Sequence, residues 1–90
     1  MIRVHLTITG KVQGVFFRDH TQRKAEELGV TGWVANNADG SVSVVAEGSE
    51  NKINDFVDWC GSGPSTAEVE KVEVEKLGYM REFSEFNIRY

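Results

Sequence analysis

The sequence predicts an α+β fold, a ferredoxin-like α/β sandwich of order βαββαβ. Its antiparallel sheet carries two helices on one face, with a short extra strand near the C-terminal end. Three observations predict it. Four runs are patterned as strands, two runs between them repeat with the helical period, and the middle two strands are joined across Asp39-Gly40. Two right-handed β-α-β crossovers split by a hairpin place both helices on one side of one sheet.

The elements follow in order. Ile2, Val4, Leu6 and Ile8 alternate with Arg3, His5, Thr7 and Thr9, the period of a strand with one buried face. From Phe17 to Leu28 the spacing changes to three and four, with Phe17, Thr21, Ala25 and Leu28 on one stripe. Gly29 suits the left-handed residue that ends a helix, and Asp19 and Arg23 stand at i,i+4, the spacing of a helical ion pair. Thr31–Asn36 and Ser41–Glu47 flank the Asp39-Gly40 turn as a hairpin. Ser49 is placed to cap a second helix, with Glu50 in its first turn. Ile53, Phe56, Val57 and Cys60 form its apolar stripe, Trp59 widens it, and the Gly61–Pro64 stretch stops it. Val69–Lys76 reads as a strand with Val72 and Val74 on one face. Phe86, Ile88 and Tyr90 alternate as a last short strand would.

Ninety residues make one domain, 1–90, large enough to bury its own core. A net charge of −4 supplies no basic field for nucleic acid. Cys60 is the single cysteine, which excludes an internal disulfide and multi-cysteine zinc sites. No run approaches the ~20 apolar residues of a membrane span, and the N-terminus alternates instead of forming a signal-peptide core. A cytoplasmic location without membrane contact is expected.

The stretch between the first strand and first helix, Gly10-Lys11-Val12-Gln13-Gly14-Val15-Phe16-Phe17-Arg18, holds two glycines and no acid. Gly10 and Gly14 can take backbone angles closed to other residues. A loop bending there can turn successive N–H groups inward as an anion nest, next to the positive end of a helix. Arg18 opposes that macrodipole at a cost of a few tenths to about 1 kcal/mol. Its i+3 and i+4 neighbours, Thr21 and Gln22, are not acids, so its planar fork is free for an external anion. The plain alternative is a tight glycine turn followed by a solvated arginine. A Walker loop is excluded, since the Gly-Lys-Ser/Thr ending is missing.

These residues resemble a known family. ITGKVQGVFFR (Ile8–Arg18) resembles the first signature of acylphosphatases and GWVANNADGSVSVVAEG (Gly32–Gly48) the second; the element order and the FNIRY ending also fit. The resemblance covers essentially the whole chain. It implies hydrolysis of the carboxyl-phosphate anhydride of small acyl phosphates. It implies catalytic roles for Arg18 and Asn36, with phosphate held by the backbone amides of Gln13, Gly14, Val15, Phe16 and Phe17. No metal and no cofactor are implied, and inorganic phosphate is expected as product and competitive inhibitor of a monomer.

The chemistry is coherent on its own terms. Phosphoryl transfer asks mainly for positioning and charge stabilisation, and a carboxylate leaving group needs little general-acid help. Asn36, near the end of the second strand, can donate and accept, and so orient a water; taken alone it also reads as an ordinary turn asparagine. His5 lies on the polar strand face and His20 off the face of Arg18, so neither is expected as an essential base. Cys60 reads as a packed thiol, and Phe16, Trp33 and Trp59 as packing residues. Glu68, Glu70, Glu73 and Glu75 read as solvated residues of a strand and its approach. Two rivals remain: a module that senses or carries a phosphorylated ligand in the same nest, and a ferredoxin-like RNA binder. The pairing of Arg18 with Asn36 disfavours the first. The second wants exposed aromatics and a basic sheet, where this first strand presents Arg3, His5, Thr7 and Thr9.

Overall fold

A computed structural model describes all of residues 1–90. The chain runs β1 (Ile2–Lys11), α1 (Phe17–Leu28), β2 (Thr31–Asn36), β3 (Val42–Gly48), α2 (Glu50–Ser62), β4 (Glu68–Leu77) and β5 (Phe86–Arg89). The five strands form one sheet in the order β4-β1-β3-β2-β5. The β1–β3, β1–β4 and β2–β3 pairs are antiparallel. The extra strand is present, and it lies parallel to β2, with Gly32 opposite Phe86 and Ala35 opposite Arg89. The sheet is therefore mixed where an antiparallel one was expected. Its last strand is reached by a connection from one edge of the sheet to the other.

The alternation in β1 divides the sheet into two faces. Val4, Leu6 and Ile8 are buried with Val34 of β2 and with Val42, Val44 and Ala46 of β3. Phe17 and Ala25 of α1 and Ile53, Phe56 and Cys60 of α2 close this core from above. Helix α1 covers the β2–β5 side and α2 the β1–β4 side. Phe17 packs against Trp59 at 6.1 Å between ring centroids, and Phe56 against Phe86 at 5.8 Å, edge to face. Such pairs add roughly 0.5–1.5 kcal/mol beyond area burial.

Local expectations hold to different degrees. Gly29 ends α1 at φ 74° with its N–H on the Ala25 and Glu26 carbonyls, as a left-handed C′ residue should. Ser49 occupies the N-cap position of α2, but its side chain makes no capping bond. Asp19 and Arg23 form no ion pair. Val72 and Val74 do share the core face, opposite Ile8 and Leu6, yet Val74 stays 48% exposed. Only Val69 and Val72 of that strand pack against the core cluster, so α2 covers one end of the edge strand and leaves the other bare.

On the far face, the connection from β4 to β5 is fixed by a buried acid. Glu47, 1% exposed, accepts the Met80 N–H at 2.9 Å and the Glu82 N–H at 3.0 Å. Arg3 stands 3.6 Å from Glu47 and 3.0 Å from Glu82, as ion pairs whose angles make no hydrogen bond. Its guanidinium also lies 5.2 Å from the Phe83 ring centroid. Burial alone would raise the Glu47 pKa. The Met80, Glu82 and Phe83 amides and the Arg3 charge outweigh it, and the carboxyl sits below its ordinary value. Beyond the crossing, Gly32 N–H donates to Glu85 O at 3.0 Å and Gln22 Nε2 to Phe86 O at 3.0 Å. These bonds seat β5 beside β2.

Candidate active site

β1 ends at Lys11 and α1 begins at Phe17, so the loop between them has five residues to reverse the chain. Val12 is buried and anchors it to the core. Gly10 has φ 127° at a register shift in the β1–β4 pairing, where a Cβ would collide with the Glu68 carbonyl. That glycine serves the strand bulge. Gly14, at φ 73° with open space around it, is the glycine that bends the loop itself.

The amides of this loop are left over. None of Gln13, Gly14, Val15 or Phe16 donates its N–H to any backbone or side-chain acceptor. The first bonded amide of the helix is His20, on Phe16 O at 3.2 Å. The first-turn N–H groups, Phe17 included, have no intrahelical partner. A run of unpaired donors continues into the positive end of a helix, which is the electrostatic form of an anion site.

Three contacts hold the loop in that shape. Gln13 Nε2 donates to Asn37 O at 2.7 Å and to Ser41 O at 2.9 Å, tying the loop to the β2–β3 hairpin. Thr66 Oγ1 donates to Val15 O at 2.7 Å from the α2–β4 connection. His20 Nδ1 lies 2.8 Å from Phe16 O. The hairpin is braced in turn. Asn37 Nδ2 donates to Ser41 Oγ at 2.9 Å and Ser43 Oγ at 2.8 Å, and Asp39 Oδ1 accepts from Ser41 N–H at 2.9 Å and Ser41 Oγ at 2.6 Å. The Ser41 bonds hold the Asp39 carboxyl below its ordinary value.

A cleft of about 280 Å³ opens over this loop, and Gly14, Phe16, Phe17, Arg18 and Asn36 all line it. The fold thus brings together the loop, the arginine and the asparagine that the sequence singled out, from two different β-strand ends. Gln13 and Val15 stand behind the wall: one side chain is spent on the hairpin and the other packs against the core. Arg18 has no carboxylate partner. Its guanidinium lies 4.9 Å from the Tyr90 ring centroid, and Nη1 reaches Arg89 O at 3.5 Å. Neither histidine lines the cleft; His5 is on the far face, 3.8 Å from Glu75. Cys60 is fully buried, and burial pushes its thiol far up. No group of three or more His, Cys, Asp or Glu side chains is arranged to hold a metal ion.

Sequence reasoning missed two parts of this site. Ile88 and Tyr90 complete the cleft wall, although nothing local in the tail connects them with a loop seventy residues away. The Gln13 side chain joins loop to hairpin, and only its position between the two glycines hinted at a special task.

Comparison with known proteins points to one family. The acylphosphatase family model matches residues 4–88. The chain is 48% identical over 88 residues to an acylphosphatase of Pelotomaculum thermopropionicum, covering 98% of this chain and 96% of that one. The crystal structure of acylphosphatase from Bacillus subtilis superposes with a TM-score of 0.96 at 33% identity, covering all of both chains. An acylphosphatase from Coxiella burnetii does so with a TM-score of 0.93 at 42% identity, covering 98% of this chain and 92% of that one. With its two signature segments meeting across one cleft, this chain belongs to the acylphosphatase family.

Proposed function

We propose that the chain hydrolyses small acyl phosphates to a carboxylate and inorganic phosphate by a single in-line displacement. One observation carries the mechanism: Gly14 and Phe16, whose amides are unpaired, and the uncompensated Arg18 meet Asn36 in the same cleft. The phosphoryl oxygens bind the amides of Gln13, Gly14, Val15, Phe16 and Phe17 and the fork of Arg18, where charge stabilisation is strongest out of bulk water. Asn36 holds a water by its amide and aligns it behind phosphorus. It is far too weak a base to ionise that water. The water oxygen forms its bond to phosphorus as the bond from phosphorus to the acyl oxygen breaks. The electron pair leaves with the carboxylate, and the water proton passes to a phosphoryl oxygen. The leaving group is a stable anion, so no general acid is required.

In this reading residues 1–90 act as one domain and a monomer, in the cytoplasm. Its partner is the small-molecule substrate, with no nucleic acid or membrane. No helix is long and apolar enough to cross a membrane. No side-chain cluster is arranged as a metal site, and the chemistry asks for none.

The test is phosphate release from acetyl phosphate, p-nitrophenyl phosphate and ATP, each with EDTA present. Hydrolysis of the acyl phosphate alone, undiminished by chelation and competitively inhibited by inorganic phosphate, is the expected result. Activity lost on chelation and restored by one divalent ion would overturn the metal-free mechanism. Binding of phosphate without turnover of any acyl phosphate would make the site a sensor instead.

A further inference from the structure

The loop enters α1 through a left-handed residue that is not a glycine. Phe16 has φ 63° and ψ 23°, an outlier for a bulky side chain that persists only where the surroundings over-determine it. Its ring does not impose that conformation, being 70% exposed. Nor does a cap, since Phe16 is the N-cap of α1 and makes no side-chain capping bond. What fixes the backbone is a pair of side-chain donors on consecutive carbonyls. Thr66 Oγ1 donates to Val15 O at 2.7 Å, and no backbone N–H reaches that carbonyl. His20 Nδ1 stands 2.8 Å from Phe16 O, and the His20 backbone N–H donates to the same oxygen at 3.2 Å. A carbonyl only accepts, so His20 carries a proton on Nδ1.

In a trans peptide the carbonyl and the following N–H point in opposite directions. Holding Val15 O therefore aims the Phe16 N–H, and holding Phe16 O aims the Phe17 N–H. Phe16 and Phe17 line the cleft, whereas Thr66 and His20 do not. The two side chains thus grip the loop from outside the cleft, and the two amides are turned the other way with no acceptor in the protein. Left-handed Phe16 followed by helical Phe17 is the change of hand that curls successive N–H groups into an anion nest. Gln13 acts differently. Its side chain binds the hairpin carbonyls of Asn37 and Ser41 and leaves the loop's own carbonyls alone.

Resting on the phosphate-binding reading above, we infer that Thr66 and His20 are positioning residues of the reaction: Thr66 sets the Phe16 amide, His20 sets the Phe17 amide, and together they keep Phe16 in the hand that the nest needs. Neither touches the substrate. The nest is held open before an anion arrives, so binding does not have to order it. Thr66 lies on the α2–β4 connection, 51 residues along the chain from Val15. The second crossover of the fold is in this way built into a site that is otherwise made by β1, α1 and β2.

The experiment removes each donor and then restores it. Thr66→Val keeps the shape and loses the hydroxyl, and Thr66→Ser returns it. His20→Phe keeps a ring and loses the donor, and His20→Asn returns an N–H at the place of Nδ1. Sulfate is the probe, followed by amide proton shifts during titration and by its inhibition constant against acetyl phosphate. In the parent, sulfate is expected to shift the Phe16 and Phe17 amide protons downfield. Thr66→Val diminishes the Phe16 shift more than that of Phe17, and His20→Phe does the reverse. Each raises the sulfate inhibition constant about two- to tenfold, the size of one neutral hydrogen bond, and lowers kcat/KM by at least that factor. The urea midpoint without anion stays at the parent's value or rises, because a released loop also lets Phe16 leave its strained hand. Thr66→Ser and His20→Asn recover sulfate affinity. Unchanged affinity in Thr66→Val and His20→Phe, a midpoint that falls while affinity holds, or failure of the restoring variants overturns the positioning role and leaves the phosphate mechanism standing. A parent whose Phe16 and Phe17 amides ignore sulfate overturns the underlying reading first.

Discussion

Arg3 and Arg18 sit in similar company and do opposite things. Each places its guanidinium against an aromatic ring, 5.2 Å from the Phe83 centroid and 4.9 Å from that of Tyr90. Arg3 has two carboxylates beside it, Glu47 and Glu82; Arg18 has none, only a backbone carbonyl at 3.5 Å. At Glu47 the acid also gathers the amides of the crossing chain. At Arg18 the neighbouring amides of Gln13–Phe16 have no acceptor. One end of the molecule supplies an acid, which pairs with the arginine and accepts the amides of the crossing chain. The other withholds the acid and leaves a cation without a carboxylate beside a row of amides without an acceptor. The aromatic contact, worth about 0.5–1 kcal/mol at an exposed site, is common to both. The missing carboxylate is what separates the arginine proposed to bind phosphate from the structural one.

The most severe way to test that contrast is to remove each centre. Arg18→Ala is expected to lower kcat/KM for acetyl phosphate by about a thousandfold or more. Its urea unfolding midpoint should correspond to a change under about 0.5 kcal/mol, because the lost cation opposed the helix macrodipole. A large stability loss there would erase the distinction. Glu47→Ala should behave in reverse, costing about 2–4 kcal/mol of unfolding free energy by orphaning two amides and half of an ion pair. The fraction that folds should turn over acyl phosphate within about tenfold of the parent. If Glu47→Ala were as stable as the parent, the crossing chain would be held by something else.

Asn36→Ala divides the active end itself. Misplacing the water by ~1 Å is expected to cost about a hundredfold in kcat, with the inhibition constant for inorganic phosphate within about twofold of the parent. Normal turnover would rule out water positioning, and a matching loss of phosphate affinity would move Asn36 into the anion grip.

The smallest effect is the pH dependence of the structural end. Glu47 has a folded pKa below its ordinary value of 4.5. In the unfolded chain it takes up a proton first as pH falls. Its contribution to stability is therefore complete above about pH 4.5 and is lost as pH drops toward and through the folded value. Urea midpoints at pH 7, 4.5 and 3 should fall less steeply in Glu47→Gln than in the parent. Equal slopes would mean that the carboxylate's charge plays no part in holding the crossing chain.

Local chemistry was legible without the fold. The boundaries Phe17 and Leu28 of α1 coincide with the spacing of Phe17, Thr21, Ala25 and Leu28, since a helical stripe is a property of one segment. The absence of an acid three or four residues beyond Arg18 is visible in the sequence for the same reason, and so are the φ demands met by Gly14 and Gly29. The two signature segments carry the family resemblance in their residues alone, and the strand ends bring Asn36 to the cleft of Arg18.

What only the tertiary structure decided are the relations between distant segments. Period two in Phe86, Ile88 and Tyr90 marks a strand but carries no information on which edge it joins or in which direction. The parallel docking on β2 depends on a crossing chain whose anchor, Glu47, looks like any polar residue of a strand. Val74 reads as buried by alternation and is half bare, because burial on an edge strand depends on how far a helix reaches across it. Periodicity and turn chemistry act through bonds within a few residues. Edge choice, strand direction and the burial of a charge are settled by packing and by the pairing of groups dozens of residues apart, and that is the level at which Tyr90 and Ile88 became part of the cleft.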